Sequence, residues 1–429
     1  MICIKLSSLY LGILVLFVGI YPDVSVSAAT HHVHIKPELT RKALLNQMIN
    51  TSATEDPYDP RAPPDYEKDI PTNVTIKIFL LSFDSVSETT MDYSVEIYLT
   101  MIWVDERLQF LNYSDFKWLE VGTKLMDAVW VPDVYFRNEK TAAFHDVTVP
   151  NRYLHLYPNG TVVYSMRLSL TLICRMDLLK YPLDTQICPM VIQSYVYTTE
   201  NVLFWWDTHQ PLIFDGDLDL NQGLPQFAIT DSITVGCTAS LGGTNFACIK
   251  ASFTLRRDVR YYVIQVYIPS ILIVGLSWVS FWLDLNAIPA RVSLGVLTVL
   301  TLNTHGSNVQ AALPKVSYIK AIDVWTVACL IFVFSALLEF AYVNVLSRRG
   351  DKLNYIGSGC GTTPCFCDID IDPDKDTSND NSTPEKRRQN YQKWRHAARR
   401  VDKMSRIAFP VGFITFNLVY WITYVFVDI

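Results

Sequence analysis

The sequence predicts a multi-domain membrane protein, in which an extracellular all-β, immunoglobulin-like sandwich is followed by a four-helix transmembrane bundle. Three observations predict this fold class. Residues 1–28 have the pattern of a signal peptide, residues 72–260 alternate short apolar and polar stretches, and four long apolar segments follow. Half of the 429 residues are hydrophobic, and the formal net charge of −6 does not favour a nucleic-acid partner.

The N-terminal segment has the three parts of a secretory signal peptide. Lys5 precedes an apolar run over residues 9–20, and small residues between Ser25 and Ala29 supply a cleavage site. A retained membrane anchor is the alternative, but the run is shorter than the roughly 20 residues that a spanning helix needs. Cleavage would place the next segment, residues 29–260, outside the cell.

The segment that follows is predicted to be the β-sandwich. Residues 74–78 and 93–97 alternate apolar and polar side chains, and turn signals such as residues 158–160 separate the stretches. N-glycosylation sequons agree with an extracellular surface. They begin at Asn50, Asn73, Asn112 and Asn159.

Each of the four apolar segments approaches or exceeds the length of a spanning helix. They cover residues 261–283, 290–313, 321–345 and 407–427. Arg348, Arg349 and the basic stretch 386–403 place the loop before the fourth segment in the cytoplasm by the positive-inside rule. We therefore expect three transmembrane helices within 261–346, a cytoplasmic loop over 347–404, and a fourth helix with an extracellular C-terminus over 405–429.

Four cysteines lie in the predicted extracellular part, where thiols oxidise. Cys174 and Cys188 bracket a turn-forming segment, and Cys237 and Cys248 bracket a glycine-containing hairpin tip. Pairing each cysteine with its near neighbour is the simplest connectivity, and the sequence alone leaves the other pairings open. The sequence contains no glycine-rich phosphate loop, nucleophile elbow or zinc-type helix motif, so neither an enzyme nor a cofactor is expected.

Several motifs resemble those of the Cys-loop receptors, and the resemblance covers nearly the whole chain from Thr72 onward. The segment 174–188 with its Tyr181-Pro182-x-Asp184 centre is similar to the signature loop of that family. Further matching motifs lie at residues 103–107, 130–133, 268–270, 277–282 and 313–318. The fourth span, through residues 402–407, is similar to that of vertebrate glycine receptors. The extracellular part resembles invertebrate glutamate-gated and histamine-gated chloride channels.

The resemblance implies a pentamer of like or related subunits around one pore in the plasma membrane, with a postsynaptic location open. A small-molecule or ionic agonist would be held between neighbouring extracellular sandwiches. Chloride ions would pass through the pore, and membrane lipid would surround the helices. A cation-selective channel of the same family and a non-conducting membrane receptor are the alternatives.

The second apolar segment carries a polar stripe. Ser293, Leu297, Leu300, Thr304 and Ser307 recur at steps of four and three, which keeps them on one helical face. Such a mixed stripe suits a water-filled path with a hydrophobic constriction, whereas a helix-packing face of small and polar residues is the alternative.

The resemblance assigns roles within this segment. Leu300 corresponds to the family's central gate leucine, and a ring of leucines closes a pore by dewetting. Pro289-Ala290-Arg291 stands where the cation channels of the family carry a glutamate. We expect a ring of Arg291 side chains to raise the local anion concentration at the inner end of the pore.

Two residues in this segment depart from the family pattern. Leu297 stands where related anion channels have threonine, which makes the pore face more apolar. His305 lies in the outer half of the segment and is predicted to face a neighbouring helix rather than the pore.

The resemblance also implies an agonist site made by two faces. The principal face would use Tyr135, Ser194, Tyr195 and Phe246, and the complementary face Tyr98, Thr100, Ser165 and Arg167. Aromatic rings attract an ammonium group. Thr100, however, stands where amino-acid-gated relatives have an arginine that clamps the agonist carboxylate. The agonist therefore stays open between glycine, glutamate, another amine, pH and a metal ion, in a homo- or hetero-pentamer.

Agonist binding in the extracellular part must also be coupled to opening of the gate in the membrane. The loop 174–188 is expected to press on the connector 313–320 between the second and third spans. By the resemblance, Arg257 pairs with Asp184, and Lys315 in the connector takes part in the coupling.

Overall fold

A computed structural model of the chain describes residues 40–49, 58–111, 113, 115–215, 224–311, 313–355 and 384–426. The predicted signal peptide, the sequons at Asn50 and Asn112, and residues 356–383 of the predicted cytoplasmic loop lie outside the described residues.

The extracellular part is a sandwich of two β-sheets made from twelve strands. These are β1 (Thr72–Ser87), β2 (Asp92–Val104), β3 (Leu119–Val121), β4 (Val134–Phe136), β5 (Glu139–Phe144), β6 (Arg152–Leu156), β7 (Thr161–Ile173), β8 (Thr185–Thr198), β9 (Val202–Trp206), β10 (Leu212–Phe214), β11 (Phe227–Leu241) and β12 (Thr244–Arg257). The larger sheet has the order β10-β1-β2-β7-β6-β3, with β5 also on β7 and β9 also on β1. The smaller sheet has the order β11-β12-β8-β4. Two short helices, α1 (Arg41–Ile49) and α2 (Thr123–Met126), accompany the sandwich.

The alternating sequence pattern forms this sandwich because successive side chains of a strand point to opposite faces. In β2, the residues from Tyr93 to Trp103 are buried at every second position, and those between them face outward. Trp103 packs edge-on against Trp130, with ring centroids 5.6 Å apart, in the core between the sheets. The outer face of β1, β2 and β7 is left for contacts outside the sandwich.

Four long helices follow the sandwich. They are α3 (Arg260–Trp282), α4 (Ile288–Ala311), α5 (Ala321–Tyr355) and α6, which runs from Pro384 to Trp421 and continues through a π-helical turn at Ile422–Phe426. Within the described residues, α3, Ala321–Arg348 of α5 and Gln392–Val425 of α6 are long and apolar enough to cross a membrane. The 24-residue α4 is not among these spans, because its mean hydropathy is lowered by Arg291 near its start and by Asn303, His305, Asn308 and Gln310 in its second half. The predicted fold class is confirmed.

Aromatic side chains hold the helices together. Trp325 of α5 is fully buried, and its indole nitrogen donates to Ser270 Oγ of α3 at 2.8 Å. Its ring lies 5.0 Å from that of Tyr420 on α6, whose hydroxyl is 2.9 Å from that of Tyr267.

Helices α5 and α6 extend well past the predicted spans. Val343 and Leu346 of α5 pack with Ala398 of α6 in a separate apolar cluster. The apolar contacts between the two helices therefore continue beyond the spans predicted from the sequence, and the helices continue with them.

Candidate functional site

Helix α4 has one buried face and one open face. Arg291, Gly295, Thr298, Leu302 and Gly306 are buried against the same subunit. A Cβ atom on Gly295 would lie 2.5 Å from Leu337 Cδ1, so glycine permits the close approach of α5.

The open face of α4 carries the predicted stripe. All five of its residues are exposed: Ser293, Leu297, Leu300, Thr304 and Ser307. The hydroxyl groups of the stripe donate to carbonyl groups one turn earlier, as Ser293 Oγ does to Pro289 O at 2.8 Å. Each hydroxyl oxygen keeps acceptor capacity towards the open face. The central leucines are each 57 % exposed in the single subunit and form an apolar band.

Arg291 does not lie on this face, so the prediction of an arginine ring in the pore is wrong in this structure. Its side chain is 1 % exposed and donates to both carboxylate oxygens of Asp402 on α6, at 3.2 and 2.9 Å. A third hydrogen bond goes to the carbonyl of Leu283. Two residues of helix amount to a rotation of about 200°, which turns Arg291 away from Ser293. A buried guanidinium needs such a carboxylate partner.

The start of α4 is uncharged on its open side. Pro289 and Ala290 are exposed there, and Arg291 and His305 are the ionisable residues of the helix. His305 lines a cavity of about 380 Å³ together with Tyr262 and Gln265 of α3. Its ring therefore faces a neighbouring helix.

The predicted complementary face lies on the outer surface of the larger sheet. Tyr98 and Thr100 of β2 are paired with Arg167 and Ser165 of β7, and the hydroxyls of Thr100 and Ser165 are 3.0 Å apart. Tyr98, Thr100 and Ser165 line one cavity of about 410 Å³. The structure therefore brings these three predicted residues together, and the cavity provides space beside them.

Five further residues of this cavity were not predicted from the sequence. They are Lys77, Phe79, Ile102, Tyr153 and Ile213. Lys77 of β1 lies directly across the strand pair from Thr100. The alternation of β1 shows that Lys77 and Phe79 share a face, but the register between β1 and β2 is needed to place them beside Thr100.

Arg167 is near this cavity but has a partner of its own. Its guanidinium donates to Glu96 Oε2 at 2.8 Å. This hydrogen bond from Arg167 holds the pKa of Glu96 below its ordinary value. His145 lies 3.6 Å from the other oxygen of Glu96. Arg167 is thus engaged by Glu96 and is not a free clamp for a carboxylate.

The predicted principal face lies near the smaller sheet. The rings of Tyr135 and Tyr195 pack edge-to-face with centroids 5.5 Å apart, and Tyr195 is 75 % exposed. Phe246 of β12 is half-buried, next to the hairpin tip. Ser194 is fully buried, and its hydroxyl donates to Asp133 Oδ1 at 2.8 Å. The prediction that Ser194 contacts the agonist is therefore wrong here, because this hydrogen bond uses its side chain inside the fold.

The extracellular cysteines form the near-neighbour pairs. Cys174 is joined to Cys188, and Cys237 to Cys248. The first disulfide closes the loop at the membrane end of the sandwich, and the second fixes the β11–β12 hairpin.

Arg257, at the end of β12, is the centre of a buried charge cluster. Its side chain is 0 % exposed, and it donates to Asp184 at 2.7 and 3.1 Å and also to Glu88. It lies over the rings of Phe227 and Tyr181, at 4.3 and 4.6 Å from their centroids. Burial opposes the charge, but the bonds and charges of Asp184 and Glu88 outweigh it and raise the pKa of Arg257.

The same loop contacts the transmembrane helices. The carbonyls of Leu179 and Tyr181 accept hydrogen bonds from the backbone of Ala321 and Ile322 at the start of α5, at 2.9 and 3.2 Å. The backbone amide of Leu178 donates to the Tyr318 hydroxyl at 3.1 Å. Lys315 is exposed, and it forms no hydrogen bond or ion pair within the described part of the chain. The connector residue with a buried charge is instead Lys320, paired with Asp323 at 3.2 Å.

Two of the predicted sequons can be placed on the surface. Asn73 and Asn159 are both exposed. The indole nitrogen of Trp205 donates to Asn73 Oδ1 at 2.9 Å, whereas Asn159 Oδ1 accepts from the backbone of Thr161 in a tight turn.

This geometry defines an ion-channel subunit that carries an extracellular ligand-binding sandwich. The family model described as neurotransmitter-gated ion-channel ligand binding domain matches residues 44–259, and the model described as neurotransmitter-gated ion-channel transmembrane region matches residues 266–357. The chain therefore belongs to the neurotransmitter-gated, or Cys-loop, ion-channel family. Members of this family form pentameric channels that bind small-molecule agonists, and they are not enzymes.

Proposed function

We propose that the chain is a subunit of a ligand-gated chloride channel of the plasma membrane. An agonist held between neighbouring extracellular sandwiches opens a central pore lined by the open face of α4. The observation that carries this proposal is the open face itself, on which hydroxyl groups flank a double leucine band and no carboxylate is present. Such a face suits water and anions rather than lipid.

Anion selectivity is best explained by the end of α4 and not by a guanidinium ring. The N-terminus of a helix carries about half a positive charge from its unpaired backbone amides. In a pentamer, the N-termini of α4 surround the inner mouth, where Pro289 and Ala290 leave the amides uncovered by acidic side chains. The charge of Asp402 is offset by Arg291. The exposed Asp284, in the turn before α4, acts against this positive charge. We propose that the five helix N-termini outweigh it and that the local potential at the mouth is positive.

Replacing Ala290 by glutamate tests this explanation. A ring of carboxylates at the inner mouth is expected to reverse the sign of the local potential and to lower the chloride-to-sodium permeability ratio by on the order of 10-fold or more. The ratio is measured from reversal potentials in voltage-clamped cells. Ala290→Gln has nearly the same size without the charge and should stay chloride-selective. An unchanged ratio in Ala290→Glu would contradict the explanation.

The agonist site is proposed to combine Tyr135, Tyr195 and Phe246 of one subunit with Tyr98 and Thr100 of the next. Lys77 is proposed to supply the positive charge that Thr100 lacks. Lys77 lines the same cavity, whereas Arg167 is held by Glu96. A charged donor of this kind favours an agonist that carries a carboxylate or another anionic group.

The substitution Lys77→Gln is therefore expected to raise the half-maximal agonist concentration by about 10- to 100-fold, the range of one charge-assisted hydrogen bond. The compound that activates the channel is first identified by screening glycine, glutamate, GABA, histamine, other amines, acid, alkali and zinc. Lys77→Arg keeps the charge and should stay within a few-fold of the native chain. Native sensitivity in Lys77→Gln would remove Lys77 from the site.

The termini complete the proposal. Residues 1–28 are proposed to be cleaved, and both ends of the mature chain are proposed to lie outside the cell, with residues 347–404 in the cytoplasm. Asn73 and Asn159 are the described positions proposed to carry glycans.

A further inference from the structure

One tryptophan on the outer surface of the sandwich is left uncovered. Trp205 of β9 is 56 % exposed, whereas its neighbour Trp206 is half-buried and packs against the core. Within the described residues, β9 forms a ladder with β1 alone, so it is an edge strand of the larger sheet. An exposed apolar group on an edge strand favours association with other chains unless it is covered. A group that covers Trp205 would therefore protect this edge.

The side chain in contact with this tryptophan is Asn73, the first residue of the sequon at positions 73–75. Strands β1 and β9 run parallel, with Asn73 paired with Leu203 and Thr75 paired with Trp205. Asn73 and Trp205 are both exposed, so the sequon and the indole ring lie on the same outward face of the sheet.

The hydrogen bond between the two side chains fixes the orientation of the amide. The indole nitrogen of Trp205 lies 2.9 Å from Asn73 Oδ1. An indole N–H group can only donate, so the amide atom in contact with it is the oxygen. The other amide atom, Nδ2, is the one to which an N-linked glycan is joined. The bond therefore leaves Nδ2 for the linkage, and it uses the edge of the indole ring rather than its faces.

We propose that Trp205 is the stacking platform for the first N-acetylglucosamine of a glycan on Asn73. One face of this sugar presents C–H groups, which pack on an aromatic ring as an apolar surface does. The hydroxyl groups of the sugar stay in water and shield the ring. The inference rests on the glycosylation of Asn73 proposed above, and it is independent of the agonist and of ion selectivity.

The contact links β9 to β1 through the sugar. The glycan on Asn73 therefore stabilises this edge of the sandwich in addition to making the surface more soluble. Since only the first sugar lies on the ring, the stabilisation survives trimming of the glycan to a single N-acetylglucosamine.

A double-mutant cycle on the full-length channel tests this contact. The protein is produced with high-mannose glycans, purified, and trimmed with endoglycosidase H to one sugar at each site. Thr75→Val destroys the sequon but keeps Asn73 and the shape of the side chain at position 75, and it is expected to lower the melting temperature by about 2–4 °C. In a Trp205→Thr background, which lacks the ring, the same change should lower it by about 1 °C or less. A Trp205→Tyr background keeps an aromatic face and should retain the larger effect.

A second sequon provides the matched control. Thr161→Val destroys the sequon at Asn159 by the same chemical change, and its effect should be equal with and without the ring of Trp205. Trp205→Leu supplies another non-aromatic background if Trp205→Thr fails to assemble.

Mass spectrometry of the peptide that contains Asn73 first establishes whether the native chain carries a sugar there. An unmodified Asn73 would overturn both the glycan and the stacking, and it would leave the proposed channel function intact. A glycosylated Asn73 whose loss lowers the melting temperature equally in the native, Trp205→Thr and Trp205→Leu chains would overturn the stacking alone.

Discussion

Replacing Leu300 by threonine is expected to produce a standing current without any agonist. Leu300 lies at the centre of the open face of α4, between the hydroxyl groups of Ser293 and Ser307. We propose that in a pentamer its side chains form the apolar ring that keeps water out of the closed pore. Threonine is smaller and polar, so the ring is expected to wet and conduct. The measurement is the holding current under voltage clamp.

A matched control tests whether the polarity of the side chain at position 300, rather than any substitution there, opens the pore. Leu300→Met keeps the position apolar and should leave the resting channel closed. The surface amount of each variant is measured by biotinylation, so that currents are compared per subunit. A silent Leu300→Thr channel at normal surface level would place the gate elsewhere.

Reversing the charge of Arg257 is expected to abolish agonist-evoked current. Its guanidinium is fully buried between Asp184 and Glu88, and these carboxylates come from the Cys174–Cys188 loop and the β1–β2 turn. Glutamate at position 257 would bury a third carboxylate beside them. Breaking a buried pair of this kind costs about 3–5 kcal/mol. The loop contacts the first residues of α5, so the connection to the transmembrane helices is expected to fail with it.

Two further variants distinguish lost coupling from lost folding. Arg257→Lys keeps the charge but not the two-pronged hydrogen bond, and a reduced but measurable response is expected. The double variant Arg257→Asp with Asp184→Arg restores opposite charges and should recover part of the current. Surface biotinylation shows whether each Arg257 variant reaches the membrane. The standing current of the same variant combined with Leu300→Thr shows whether it assembles into a pore, without any need for agonist coupling. Native responses in Arg257→Glu would exclude a coupling role.

The fold was predictable because its signals are periodic. Alternation over residues 93–103 gives the buried and outward faces of β2, and steps of three and four over residues 293–307 give one face of α4. These patterns follow from the geometry of a single strand or helix. They can therefore be recognised in the sequence without knowing which other elements pack against it.

The individual roles were harder to predict because they depend on long-range partners. The side chain of Arg291 is held by Asp402, which lies far along the sequence, and the resemblance alone gave no sign of that pair. Ser194 is buried and its hydroxyl donates to Asp133. Lys77 lies beside Thr100 on the predicted complementary face because of the register between β1 and β2, which cannot be derived from the sequence alone. Fully buried charges and cross-strand neighbours are properties of the assembled fold.

The most direct test of the central claim is the reversal potential of the standing current in Leu300→Thr, since this measurement needs no agonist. External chloride is replaced stepwise by gluconate, and external sodium separately by a large organic cation. A chloride channel predicts a shift of about 59 mV for each tenfold change in chloride and none with sodium. A reversal potential that ignores chloride and follows sodium would contradict the account.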